Sequence, residues 1–155
     1  MAWIILALRK QTLQSSVNEL TYQDIQLSRR VRKVHRHLAH EKSTYNAAKK
    51  AELNAAKSDY MKIRDARPKD HKSEEYTAWN DMYNDAREDY QAAKEDIEDY
   101  YDDIMEEIEA EAQDEEDQIQ EEITETESQR DAMNAELQAI RDQIKTEIEG
   151  SAIKF

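Results

Sequence analysis

Arg67-Pro68-Lys69-Asp70-His71-Lys72 is the stretch whose reading decides the fold. Pro68 is the only proline in 155 residues. Its ring disfavours the helical conformation at Arg67 and it has no amide hydrogen, so a helix arriving here must end. Asp70 or Ser73 can cap a new helix, and Glu74 and Glu75 suit that helix's positive end. The segment before the proline is basic on balance, and the segment after it is strongly acidic. The sequence therefore predicts an all-α chain folded back on itself as a long antiparallel helical hairpin, coiled-coil-like. Residues 1–67 form an apolar N-terminal run leading into a basic helix, 68–73 the turn, 74–150 an acidic helix and 151–155 a tail.

Composition agrees with long helices and few turns. One glycine and one proline compare with average shares of about 7% and 5%. Charged residues make up 37% of the chain, while Phe occurs once and Trp twice. A large globular core is therefore not expected, and most apolar burial must come from seams between helices. Disorder is the rival reading, since low hydrophobicity with high net charge is its usual signature; the periodicity below argues against it. With no cysteine, disulfides, thiolate metal sites and a cysteine nucleophile are excluded. A net charge of −14 argues against general phosphate binding, and specific nucleic-acid binding is not expected.

From Leu13 the apolar positions step Leu13, Val17, Leu20, Leu27, Val31, Val34, Leu38, with Asp24 in line. That alternation of four and three is the period of a coiled-coil seam, and one polar seam residue such as Asp24 can fix register. Tyr22 and Ile25 are read as widening this stripe. The pattern continues through Tyr45, Leu53, Ala56, Tyr60 and Ile63, with one extra residue between Ala48 and Leu53 that relaxes the heptad. After the turn the stripe reads Tyr76, Trp79, Tyr83, Ala86, Tyr90, Ala93, Ile97, Tyr100 or Tyr101, Ile104, Ile108, Ala112. It thins to Ile119 and Ile123, a break is expected near 124–128, and it resumes at Met133, Leu137, Ile140, Ile144 and Ile148. Gly150 is read as the stop.

A turn centred on Lys69 and Asp70 pairs residues whose numbers sum to roughly 140. Val17 is then expected to face Ile123, Leu20 Ile119, Val31 Ile108, Val34 Ile104 or Met105, Leu38 Tyr101, and Tyr60 Trp79. The basic run Arg29, Arg30, Arg32, Lys33 and Arg36 falls against Glu106, Glu107, Glu109 and Glu111. Met1–Leu8 falls against 132–139. Exposed ion pairs are worth only about 0–1 kcal/mol each, so they choose register more than they hold it.

Met1–Leu8 (Met-Ala-Trp-Ile-Ile-Leu-Ala-Leu) is too short for a spanning helix, which needs about 20 apolar residues. Its charges, Arg9 and Lys10, follow rather than precede the apolar run, so it does not read as a signal peptide. Packing into a helical interface through Trp3, Ile4 and Leu6 is the favoured reading. Shallow membrane attachment and an anchor that orders only with partners are the others. Two helices burying one stripe each leave surplus apolar surface, so oligomerisation or docking into a larger helical bundle is expected.

Motifs for chemistry are sparse. His35, His37 and His40 lie near Glu41, but no metalloprotease or di-iron spacing is present, and they are read as extending the basic face, with pairing sensitive to pH near neutrality. Glu95–Glu127 contains 18 acidic residues among 33 and no Lys or Arg. It lacks the spacing and turn glycine of a calcium loop and reads as a solvated face partly neutralised by the first helix. No phosphate loop or nucleophile elbow appears. The reading is non-enzymatic, with no catalytic residue, metal or cofactor.

The opening Trp3-Ile4-Ile5-Leu6-Ala7-Leu8-Arg9-Lys10, leading into a Gln-rich heptad helix, resembles small helical proteins that tailed bacteriophages encode among their virion and morphogenesis genes. The resemblance covers roughly the first 40 residues and is one of pattern. It implies a structural or assembly role, in the virion or the cytoplasm, and carries over no functional residue. Two functions remain open: a self-associating structural or assembly protein, or an acidic module that mimics nucleic acid or adapts to a basic protein partner.

Overall fold

The computed structural model describes residues 2–152, and these form two long helices packed against each other as a hairpin, with no strand among them. Helix α1 spans Ala2–Asp65 and helix α2 spans Glu74–Ala152. The contacts divide the chain into two units, Met1–His35 with Gln113–Phe155, and Arg36–Ala112.

Helix α1 ends ahead of Pro68. The Ala66 amide reaches back to the carbonyls of Lys62 and Ile63 at 3.2 Å, and Lys62 and Arg64 stand at the negative end. Ser73 is the N-cap of α2. Its Oγ accepts the Tyr76 amide at 3.1 Å, and its carbonyl accepts the Thr77 amide at 3.3 Å. Asp70 shapes the turn instead: its Oδ1 accepts the Lys72 amide at 3.0 Å, and its carbonyl accepts the Ser73 hydroxyl at 2.8 Å.

In the first unit the expected seam of α1 is buried with its period intact. Leu13, Leu20 and Leu27 are buried, Val34 likewise, and Val17, Asp24 and Val31 between them are half-buried. Leu13 forms a cluster with Leu137 and Ile140, and Leu6, Val17, Met133 and Ile144 pack against it. Ile119 is wholly buried. In the second unit Trp79 and Tyr101 are buried, and Leu53, Ala56, Tyr60 and Ile63 are half-buried.

Three expectations are corrected. Helix α2 is unbroken through 124–128. Thr124 and Thr126 donate their hydroxyls to the carbonyls of Gln120 and Glu122, at 2.9 and 2.8 Å, so neither competes with the helix for its amides. Gly150 is not the stop: the helix runs through it to Ala152, and no glycine takes a positive φ. Of the expected tail, 153–155 lie outside the described residues. Tyr22 and Ile25 do not widen the seam but point away from it, 62% and 48% exposed.

The register is also corrected. In the second unit Lys49 Nζ bonds Asp102 at 2.7 Å, Lys42 pairs with Glu109, and Tyr101 meets Glu52 where Leu38 was expected. In the first unit Arg30 bonds Glu122 and His35 bonds Glu116. These partners sum to roughly 150, a displacement of about three helical turns from the expected register. The cause is the connection. Residues 66–73 do not make a tight reversal; Arg67 and His71 lie along the first turns of α2, with Arg67 5.7 Å from the Tyr76 ring and His71 4.8 Å from it. Non-helical chain climbs faster per residue than helix, so a few residues carry the start of α2 past the end of α1.

Candidate interaction surfaces

In the first unit a polar pair interrupts the apolar seam. Asp24 stands in line with Leu20 and Leu27 on α1; Arg130 stands in line with Thr126 and Met133 on α2. The Arg130 guanidinium donates to Asp24 Oδ2, and the two side chains are 27% and 15% exposed. Asp24 Oδ1 is buried with no hydrogen-bond partner. Removing water from two charges is costly, and their attraction offsets it only when each keeps its partner. Such a pair therefore specifies alignment more than it adds stability.

Further ion pairs of that unit lie at the surface. Arg9 Nε donates to Glu136 at 2.9 Å, Arg30 donates to Glu122 at 3.1 Å, and His35 Nε2 lies 2.9 Å from Glu116. Of the basic run, Arg29, Arg30, Arg32, Lys33 and Arg36 are all exposed. The acidic residues expected opposite them lie in the second unit, which of the basic run holds only Arg36. Glu106, Glu107 and Glu111 are exposed there, and Glu109 holds Lys42. His37 pairs with Glu41 at 3.3 Å along its own helix. Among the described residues no three His, Asp or Glu side chains are grouped to hold a metal ion.

The second unit contains an aromatic array that the sequence marks only as a stripe. Tyr76 lies against Trp79 (5.4 Å), Trp79 stacks on Tyr83 (5.1 Å), and Tyr60 from α1 inserts between Tyr83 (5.7 Å) and Tyr90 (5.3 Å). Trp79 Nε1 donates to the Ile63 carbonyl at 2.7 Å, a second donor beside the Ala66 amide at the end of α1. Arg67 lies 5.7 and 5.8 Å from the Tyr76 and Trp79 rings, within cation–π range. The Tyr60 and Tyr83 hydroxyls are 2.9 Å apart, and that shared hydrogen bond raises the Tyr60 pKa above its usual value. Tyr101 donates to the Glu52 carboxylate at 2.6 Å, a bond that pushes its pKa up to about 12.

The apolar N-terminal run divides. Leu6 packs against the Leu13–Leu137–Ile140 cluster, while Trp3, Ile4, Ile5 and Leu8 are 52%, 44%, 70% and 60% exposed. A shallow groove beside them is lined by Ala2, Ile5 and Leu6 of α1 and by Ala139, Gln143 and Thr146 of α2, with Asp142 and Glu147 also on its wall. The register shift explains this: the groove sets Ala2, Ile5 and Leu6 beside residues of 139–147, displaced toward the C-terminus from the expected 132–139. No helix among the described residues is long and apolar enough to cross a membrane.

Comparison with protein-family models, with curated proteins and with solved structures finds no match for the chain. The surfaces just described are thus read from their own chemistry.

Proposed function

We propose that the chain is a non-enzymatic structural or assembly protein that works by self-association, either alone or within a larger protein assembly. The observation that carries this reading is the division of the N-terminal run. Leu6 is accommodated in the intramolecular seam, whereas Trp3, Ile4, Ile5 and Leu8 remain outside it as adjoining apolar side chains. Contiguous apolar surface of this kind marks an interaction site. The cross-helix ion pairs support the same reading, because they direct part of the basic run toward the chain's own acidic helix and away from outside phosphates. The resemblance of the opening segment to phage virion and morphogenesis proteins supports a role of that type. Sedimentation velocity over a wide concentration range tests the proposal: a defined oligomer is expected, and a monomer at every concentration refutes it.

A second reading rests on a separate observation. Glu106, Glu107 and Glu111 are exposed within a 33-residue stretch lacking Lys and Arg, a surface suited to a basic protein. Titration against a histone tests it: salt-sensitive binding that is lost when these three are changed to Gln supports the acidic module, and absence of binding removes it.

A further inference from the structure

Helix α1 carries a second heptad row in the first unit, opposite the one that meets α2. Ile4, Leu8, Gln11, Ser15, Asn18, Tyr22 and Ile25 alternate by four and three, and every one of them is exposed. None is charged, in a chain that is 37% charged. The same series then turns basic, at Arg29, Arg32 and Arg36. Between Ile4 and Ile25 the charged residues are Arg9, Lys10, Glu19 and Asp24, which cancel.

Neutrality selects the occupant. An interface between identical copies places a patch against itself, so net charge on the patch would repel its own image. A strongly acidic or basic partner would gain nothing from an uncharged row. A lipid surface would favour continuous apolar residues with cationic flanks, whereas Gln11, Ser15 and Asn18 interrupt this row at its middle. A second copy fits all three features. With two α1 helices antiparallel about Ser15, paired residues sum to about 30. Ile4 lies near Ile25 of the other copy, Leu8 near its Tyr22, and Gln11 near its Asn18. Apolar groups meet at both ends, amides able to bond each other meet between them, and a small serine sits on the axis. A parallel pairing would match the same residues but would bring two Arg29–Arg36 segments side by side; the antiparallel one separates them.

We infer that the exposed face of α1 from Ile4 to Ile25 is the self-association surface, pairing antiparallel with a second copy about a twofold axis at Ser15. This rests on the self-association reading above and adds its surface and direction. The chain has no native cysteine, so single nitroxide labels can be placed cleanly on the full-length protein at Ser15→Cys and, separately, at Ile4→Cys. Between copies, the first label should give a short distance. The second should give a separation of roughly 33 Å, since each copy places Ile4 eleven residues from the axis at 1.5 Å per residue. Leu8→Glu with Ile25→Glu alters exposed side chains only, so helix content should be kept while the dimer weakens about tenfold or more. Short distances at both labels would overturn the antiparallel arrangement. An oligomer with neither label coupled, or one indifferent to the two glutamates, would overturn the surface while sparing self-association. A concentration-independent monomer would overturn both, and such a monomer binding anionic vesicles would assign the face to membrane instead.

Discussion

Replacing Arg130 with leucine would leave the Asp24 carboxylate in the seam with neither oxygen bonded, since Oδ1 already lacks a partner. Breaking a fully buried pair from one side costs about 3–5 kcal/mol, and an exposed pair about 0–1. Arg130 and Asp24 are 27% and 15% exposed, so the loss should fall between those limits, at about 2–3 kcal/mol. For a chain of this length that is a fall in Tm of about 4–12 °C, read by circular dichroism at fixed protein concentration. Replacing both residues with leucine should return stability to within about 1 kcal/mol of the parent, or above it. The cost of the double change is alignment. Slid three helical turns, to pairs summing to roughly 140, Asp24 would lie against Glu116 and Arg130 against Lys10. Each juxtaposition sets like charges together, so the pair both favours the observed register and penalises that neighbour. Nitroxides at Ser28→Cys and Glu125→Cys, diluted with unlabelled protein, should give one narrow distance in the parent. In the double-leucine variant a second population displaced by roughly 16 Å is expected. An Arg130→Leu protein that melts with the parent, or a double variant with one unchanged distance, would refute the reasoning.

Other consequences are open to simpler assays. The Tyr101 hydroxyl bonds the Glu52 carboxylate and its pKa rises to about 12, above the unfolded value of about 10. The bond's contribution to stability is therefore present below pH 10 and lost as pH rises through 12. Tyrosinate absorbance should show a late-titrating phenol that disappears in Tyr101→Phe and moves back toward 10 in Glu52→Gln. Ile119→Ala, at a fully buried position, should cost about 2–5 kcal/mol in urea denaturation. Trp79→Phe removes one of two donors to the Ile63 carbonyl, which keeps the Ala66 amide, and should cost about 0.5–1.5 kcal/mol, the net worth of one hydrogen bond. Arg30→Glu should lower stability by up to about 1 kcal/mol, with Glu122→Arg restoring most of it and Glu109→Arg restoring none.

Much of the hairpin was legible because its signals are local. Pro68 stops a helix by its own geometry, and Leu13 to Leu38 repeats the seam period without interruption. The register was not legible from apolar matching, because a stripe of period 3.5 coincides with itself after about three turns. Charge matching failed for a similar reason: Glu95–Glu127 is acidic throughout, so the basic run finds carboxylates wherever it lands. A sharper signal was present. Arg130 is the one cation between Lys94 and Arg141, and it stands at a seam position; pairing it with Asp24, the acid in the opposite seam, yields the observed alignment. Tyr22 and Ile25 adjoin the apolar stripe in sequence, yet their spacing from Leu8 and Ile4 places them in a row of their own, and both are exposed. The threonines at 124 and 126 carry non-helical propensities that hydroxyl bonding to the helix's own carbonyls offsets, while the glycine at 150 keeps the helical backbone with nothing packed beside it.

The two tryptophans fall one to each unit, in opposite settings. Trp3 stands half in water, whereas Trp79 is 8% exposed and stacked on Tyr83, with Tyr76 in ring contact and Arg67 nearby. The protein thus has two optical reporters needing no label. Long-wavelength emission open to a soluble quencher belongs to Trp3, and shielded emission fed by excited tyrosines belongs to Trp79. Association through the N-terminal segment should change the first signal while the second, tied to the turn, stays constant until the chain unfolds. One fluorescence titration can therefore separate assembly from folding in the same sample.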